Sequence, residues 1–428
     1  MRILIVSRSP WDNSNSFGNT FSNLFSGMEN VEIYNVCCQD GKNNNTIVQR
    51  AYQMTDRSVL YSILGKSAGK EVEPVSVEGQ VDLHELSSIL PKKRYTLFYI
   101  FRDAIWMFGR WWNKKLRDYL DDVKPDVVYL PLYASWYICD LQQKIINYCQ
   151  VPVVGHISDD LYNYPPHGFR QPLAFLYRAN VRRKIRKLID NCSYVEVFAE
   201  NMARVYASVF HKPFHVIGKG IDISMLDGVN IEPLKDDTIS YVYTGNIGNG
   251  RYLELVKLSR ALDQEYSDGK AILSIYTQSL IDDSMLKAFN GCKSLKLCGS
   301  VSSEEVRRIQ HDADVLVHVE SFSDQSIFET KMSFSTKLID YMLAGKIIFA
   351  IGPAEVNSLE TLRNHQLAVA ACSDDEIIQQ VSAIKNHEVN TEMLSQSIRK
   401  YLIEQRDISK IQNRMLSRIN TIVYQKQA

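Results

Sequence analysis

Cysteines paired at metal-ligand or dithiol-redox spacing are missing from this chain. Its eight cysteines, Cys37, Cys38, Cys139, Cys149, Cys192, Cys292, Cys298 and Cys372, form no Cys-x-x-Cys and have no histidine at zinc-ligand spacing. Zinc-ribbon, zinc-finger and dithiol-redox functions are thereby set aside. Several lie in apolar runs, where a free cysteine behaves as a small hydrophobe, so free thiols in a reducing, cytoplasmic setting are expected. Net charge is missing too: 49 Lys and Arg balance 49 Asp and Glu, and bulk electrostatics favours neither nucleic acid nor an anionic membrane. No stretch approaches the roughly 20 apolar residues that span a bilayer. The opening Met1-Arg2-Ile3-Leu4-Ile5-Val6-Ser7 is too short for a signal peptide and reads as a first buried strand. The expectation is a soluble or peripheral protein. The loop after that strand has only Gly18 and no Gly-x-Gly-x-x-Gly, which argues against a dinucleotide-dependent dehydrogenase. No internal repeat or low-complexity tract is present.

What the chain does have is length and alternation. Its 428 residues, 45% apolar and 23% charged, are ordinary globular material and enough for two domains. Short apolar runs predict strands at residues 2–7, 31–36, 126–130, 151–155, 194–198, 239–244, 271–277, 295–298, 315–319, 347–351 and 367–371. Amphipathic patterns between them predict helices, among them 19–28, 169–189, 252–265, 303–311 and 374–385. Such alternation argues for an α/β protein of doubly wound parallel sheets. It restarts near Ile239 after a polar stretch, residues 222–238. We therefore divide the chain into a domain at 1–225, a second at 226–400 and a terminal helical piece at 401–428 within one long helix from about Asn390 to Tyr424. A ligand cleft is expected between the two domains, at the carboxyl ends of the strands. Residues 58–88 have weak periodicity and read as a surface excursion.

One segment is the most informative. Ser333-Phe334-Ser335-Thr336-Lys337-Leu338-Ile339-Asp340-Tyr341-Met342-Leu343-Ala344-Gly345-Lys346 precedes the apolar run Ile347 to Ile351. Ser335 and Thr336 are helix N-cap types and Gly345 suits C′, so a short helix points its N-terminus at a loop. Hydroxyls, Lys337 and unpaired N–H groups there describe a phosphate seat. Asp340 lies one turn on, on the same face, where it could accept hydrogen bonds from ribose. The same residues also fit an ordinary capped helix.

Other segments point the same way less specifically. Thr244-Gly245-Asn246-Ile247-Gly248-Asn249-Gly250-Arg251 is a strand, glycine-rich loop and helix start, where backbone could approach a phosphate and Arg251 could pair with it; it could equally close a tight turn. The run Gly155-His156-Ile157-Ser158-Asp159-Asp160 ends a first-domain strand with an imidazole and two carboxylates, or merely caps the next helix. Gly299-Ser300-Val301-Ser302-Ser303-Glu304-Glu305 carries a capping box from Ser302 to Glu305. Gly18, read as preceding a helix at Asn19, leaves exposed N–H groups. Arg94 to Arg117 interleaves Tyr95, Phe98, Trp106, Trp111 and Trp112 with Arg102, Arg110, Lys114 and Lys115, which suits a packed helix or a membrane interface.

The Ser333 to Ile351 segment resembles the nucleotide-sugar helix of retaining glycosyltransferases with the two-domain GT-B fold, particularly family four. The resemblance implies two Rossmann-like domains facing a cleft and a C-terminal helix that crosses back to the first. It puts Asp340 on the family's ribose-holding Glu and Ser335, Thr336 and Lys337 at the diphosphate. The family's first Glu falls on Met332, with Glu320 and Glu329 nearby as replacements. Arg251 matches the family's Lys, Asn246 stands where it has Arg, and Lys337 is the natural substitute. Gly245, Gly248 and Thr277 join the donor positions; Gly299 and Val301 resemble a turn that contacts the base; Gly18 would approach the donor sugar or acceptor. His156 would orient the sugar, and Asp159 or Asp160 the acceptor. With His156, Arg251 and Lys337 in the catalytic roles, the expectation is a metal-independent transferase without a cofactor. It would move sugar from a UDP- or GDP-sugar, with retention, to a hydroxyl of a glycan or lipid-linked saccharide, at or near the inner face of the cytoplasmic membrane. Nucleic acid is not an expected partner. A sugar-nucleotide 2-epimerase of the same fold and a non-catalytic binding protein, the latter favoured by Met332 and Asn246, are the rival readings.

Overall fold

A computed structural model describes residues 1–73, 95–163, 172–227, 229–234 and 238–427. They form two compact units, Met1–Phe198 with Met202–Ile217 and Lys410–Ala428, and Ala199–Asn201 with Gly218–Ser409.

The first unit is built on a sheet of β1 (Arg2–Ser7), β2 (Glu32–Cys37), β3 (Val48–Gln53), β4 (Lys70–Val72), β5 (Val127–Pro131), β6 (Val153–Ile157), β7 (Tyr194–Val197) and β8 (Phe214–Val216). Their order is β4-β3-β2-β1-β5-β6-β7-β8, parallel except where β4 pairs with β3. Ile3 to Val6 are fully buried, the unbroken apolar run expected of a strand covered on both faces. On one face Ile3 and Ile5 pack with Trp11, Phe21, Phe25, and with Ile411, Met415 and Ile419 of the last helix. Those three are spaced by four and so fall on one helical stripe.

The second unit holds β9 (Ile239–Thr244), β10 (Ala271–Tyr276), β11 (Leu295–Gly299), β12 (Val315–Val319), β13 (Ile347–Ile351) and β14 (Val369–Ala371). All pairs are parallel, in the order β11-β10-β9-β12-β13-β14. The direction of winding reverses between β9 and β12. In open α/β sheets a ligand sits outside the carboxyl ends of the strands at that reversal.

The expected long terminal helix is two helices, Thr391–Gln405 and Ile408–Gln427. Distant backbone interrupts it: Ile221 donates its N–H to the Arg406 carbonyl at 2.7 Å and accepts from Ile408 N–H at 2.9 Å. The buried Arg406 guanidinium sits over Phe334 and Tyr401 and donates to the Tyr401 hydroxyl. Thr391–Gln405 contributes Leu394, Ile398, Tyr401 and Leu402 to the second unit's core. Of residues 58–88, read as a surface excursion of weak periodicity, the described part to residue 73 holds the end of a helix, Asp56–Ile63, and β4. The Arg94 to Arg117 stretch holds the helix Tyr95–Phe108 and the start of Lys114–Val123; Arg94 itself, residues 74–93 and residues 169–171 of an expected helix lie outside the described residues. Among the described residues no helix is long and apolar enough to cross a membrane, and all eight cysteines are free.

Candidate functional site

At the carboxyl end of β9 the backbone turns sharply. Gly245 has φ +145°, and a Cβ there would meet Lys337 Nζ at 2.8 Å, so the missing side chain is what lets the ammonium lie against the loop. Tyr243 O–H donates to the Asn246 carbonyl at 2.6 Å, and the Asn246 Oδ1 accepts from Gly248 N–H at 2.6 Å. Gly250 has φ +81°, and a Cβ there would meet Ser321 Oγ at 2.5 Å. The loop thus ends against the segment following β12. Thr277 accepts from Ser279 N–H, and Ser279 Oγ accepts from Ile247 N–H, so Thr277 supports the loop through an intermediary.

Helix Arg251–Glu265 begins directly after Gly250. The Arg251 Nη2 and Nε both donate to Glu320 Oε2, at 2.9 and 3.2 Å. Glu320, the residue after β12, is only 5% exposed, so its charge needs this partner. Its other oxygen, Oε1, lies 3.6 Å from Nε2 of His318. His318 is fully buried, and neither ring nitrogen has a hydrogen-bond partner among the described residues. Burial, then the positive charges of Lys337 and Arg251, hold its imidazole well below the ordinary value and neutral. Glu329, the other candidate to replace the family's first Glu, accepts from Asn249 Nδ2 at 3.1 Å.

Lys337 opens the helix Lys337–Leu343. Its Nζ donates to the Thr244 carbonyl at 3.2 Å and lies 4.7 Å from the Tyr243 ring centroid. Burial pushes its ammonium down to about 8, against the pull of Glu320 and with the push of Arg251. Within this trio Arg251 and Glu320 offset one another, and Lys337 carries the uncompensated charge. Tyr341, on the same face, reaches Thr244 Oγ1 at 3.1 Å and pins the helix to β9. Asp340 Oδ1 accepts from Lys219 Nζ at 2.6 Å.

The helix start differs from the expected cap. Thr336 occupies the N-cap position with helical backbone and no side-chain cap hydrogen bond. Ser335 N–H donates to Ser358 Oγ at 3.2 Å, while Leu338 and Ile339 N–H donate back to the Ser335 and Thr336 carbonyls. Those three amides are committed within the protein, and the Lys337 side chain is the charged group of this helix start that can address an anion. Gly299 ends β11 with φ +75° and open space around its α-carbon. Val301 is half-buried beside the expected capping box, which forms between Ser302 and Glu305.

The first-unit residues have different surroundings. Gly18 does not precede a helix but lies inside one, Ser16–Phe25, a correction to its reading as a loop residue with an open N–H. That N–H donates to the Asn15 side chain at 2.7 Å, and a Cβ would fall 2.0 Å from the Asp12 carbonyl oxygen, which is why the position is glycine. His156 sits within β6, 1% exposed. Its Nδ1 meets the Tyr129 hydroxyl at 3.2 Å and its Nε2 meets Ser158 Oγ at 3.0 Å. Tyr129 O–H donates onward to Glu196 at 2.7 Å, which also accepts from Arg418 Nη2 of the last helix at 2.9 Å. Burial takes the imidazole down to about 3, so it is a neutral, fully bonded core group. Asp160 Oδ1 accepts from Tyr206 O–H and from Tyr162 and Asn163 N–H, building its own turn. Asp159 is exposed.

The second unit therefore brings together Gly245, Asn246, Arg251, Glu320, Lys337 and Asp340 at one end of its sheet. Lys219 and His318 were missed: Lys219 lies 121 residues from its partner, and a lone histidine in an apolar strand carries no sequence signal. Among the described residues no three His, Cys, Asp or Glu side chains cluster as metal ligands.

No family model matches the chain, and no curated protein matches it. Solved structures do. HepE from Anabaena in complex with UDP is 12% identical, with a TM-score of 0.62 over 98% of this chain and all of that one. Sucrose-phosphate synthase from Thermosynechococcus elongatus is 10% identical, at 0.61 over 98% of this chain and 99% of that one. TarM is 10% identical, at 0.60 over 98% of both. At such identities the likeness concerns the fold, which is GT-B.

Proposed function

We propose that this GT-B chain is a glycosyltransferase taking a nucleoside-diphosphate sugar as donor. The observation that carries the reading is Lys337, a partly buried ammonium held against the carboxyl end of β9, one of the two strands that flank the reversal of the sheet. UDP and UDP-glucose are named as ligands of the HepE structures, which supports UDP as the first nucleotide to test.

The chemistry follows from charge. As a glycosidic bond to a diphosphate breaks, the leaving group gains negative charge, and a cation already in place stabilises that moment most. Lys337 supplies it, with Arg251 held beside it by Glu320. Asp340, paired with Lys219, accepts from ribose hydroxyls, and the Gly245 to Gly250 loop provides close backbone. Retention and transfer to a hydroxyl of a glycan or lipid-linked saccharide, without a metal and at the cytoplasmic face of a membrane, complete the reading from the family resemblance. His156 and Asp160 are committed to internal bonds, so the reading rests on the second unit.

One observation favours a binding protein instead: Arg251 is already occupied by Glu320. Slow hydrolysis of a UDP-sugar without acceptor separates the two. Release of UDP by the wild type, abolished in Lys337→Ala, supports the transferase; UDP binding without turnover of any sugar nucleotide supports the binder.

A further inference from the structure

Three helices of the first unit, Asp56–Ile63, Tyr95–Phe108 and Pro172–Asn191, adjoin one another. Val59 lies against Gly109, where a Cβ would meet its Cγ1 at 2.3 Å, and Trp106 Nε1 donates to Asp56 at 2.6 Å. Tyr177 O–H donates to Asp103 Oδ2 at 2.7 Å, which brings the start of the third helix to the middle of the second.

Large apolar side chains stand on the outer surfaces of these helices. Leu64, Phe101, Met107, Phe108, Phe175 and Leu176 are each 59–79% exposed. Phe101 and Phe108 are seven residues apart and share one face, on the side away from the buried Trp106. Single exposed apolar residues are ordinary, whereas a cluster marks an interaction surface.

Positive charge accompanies the cluster. Pro172–Asn191 carries six Lys and Arg against one Asp. Leu176, Arg183 and Lys187, at i, i+7 and i+11, share its exposed face, while Val181, Ile185, Leu188 and Ile189 bury the opposite one. Lys66, Arg110, Arg183 and Lys187 are exposed and have no carboxylate partner among the described residues. The carboxylates of the three helices are engaged elsewhere: Asp56 accepts from Trp106, Asp103 accepts from Tyr177, and Asp190 lies at the far end of its helix.

We propose that this surface docks on an anionic lipid bilayer, its apolar side chains entering the headgroup boundary and its cations pairing with lipid phosphates. Exposed apolar groups rimmed by unpaired Lys and Arg are what such an interface binds. A second copy of the chain, packed about a two-fold axis, would set these cations against their own equivalents. A nucleic acid would pair with the cations and leave the apolar side chains in water. The proposal deepens the functional reading and rests on it only for which face of the membrane is met.

Sedimentation of the full chain with vesicles tests it, using phosphatidylcholine alone and an equal mixture with phosphatidylglycerol, at low and high salt and without nucleotide. The expected result is binding to the anionic vesicles, weak binding to the neutral ones, and a loss of affinity in high salt. Affinity should fall about tenfold or more in the double variant Phe108→Ser/Leu176→Ser, and by a similar factor in Arg183→Gln/Lys187→Gln. All four side chains are exposed, so thermal melts should match the wild type. UDP affinity should stay unchanged in both variants, which keeps failure here distinct from failure at Lys337. No binding to anionic vesicles, or affinity unchanged in either double variant, would overturn the proposal, as would a concentration-dependent dimer that Phe108→Ser/Leu176→Ser dissolves.

Discussion

Lys219 Nζ donates to Asp340 Oδ1 at 2.6 Å, joining the glycine-flanked segment Gly218-Lys219-Gly220 to the helix that carries Lys337. The pair is partly exposed, with side chains 28% and 42% accessible, so its contribution to stability is about 0–1 kcal/mol. Its effect on a ligand is larger if Asp340 holds ribose, since Lys219 fixes the carboxylate.

Replacing Lys219 by Ala is therefore expected to change the melting temperature by no more than a few degrees while weakening UDP binding several-fold, comparably to Asp340→Asn. Calorimetric titration of both variants checks this. Wild-type affinity in both would remove Asp340 from the donor site.

Glu320 competes with a diphosphate for Arg251. Glu320→Gln keeps the shape but loses the charge, so UDP should bind about three- to tenfold tighter as Arg251 becomes available and a nearby negative charge disappears. The fold should lose about 1–3 kcal/mol, because Arg251 is 23% exposed and can recover part of its hydration. Weaker UDP binding would mean that Glu320 acts chiefly by positioning Arg251.

Met415 is fully buried among Ile3, Ile5 and Phe21. Met415→Ala should destabilise the first unit by about 2–5 kcal/mol, read as a lowered midpoint in chemical denaturation. A loss below about 1 kcal/mol would mean that the last helix is not part of that core.

The His156 imidazole, at about 3 in the fold, takes up a proton near pH 6.5 once unfolded. Between those values the unfolded state binds more protons, so stability falls as the pH falls. His156→Asn should remove about 1.5 kcal/mol of that loss between pH 6.5 and 5, narrowing the gap to wild type. A gap that stays constant over that range would contradict the burial argument.

How legible the molecule is depends on how local each cause is. Strands β1, β9, β12 and β13 have the expected bounds because each is an apolar run buried on both faces. β3, with polar Gln49, Arg50 and Gln53, and the three-residue β8 were not legible, since sheet pairing rather than composition makes them strands. The helix break at Arg406 was invisible for the same reason: Ile221 causes it from 185 residues away in sequence. At the candidate site, Lys337 and Arg251 stood out by charge beside glycine and hydroxyl residues. Their state did not. That Arg251 is held by Glu320, and that Asp340 is held by Lys219, are facts of long-range packing.

The central claim is that Lys337 binds the diphosphate of a nucleotide, and titration calorimetry of UDP with wild type and Lys337→Ala from pH 7 to 9 tests it most directly. The Lys337 ammonium titrates at about 8, so wild-type affinity should fall as the pH rises through that value and the charge is lost. The variant should bind at least tenfold more weakly at pH 7 and show no such fall. Equal affinities in the two proteins, or no binding of UDP, GDP, ADP or TDP to a folded wild type, would contradict the account.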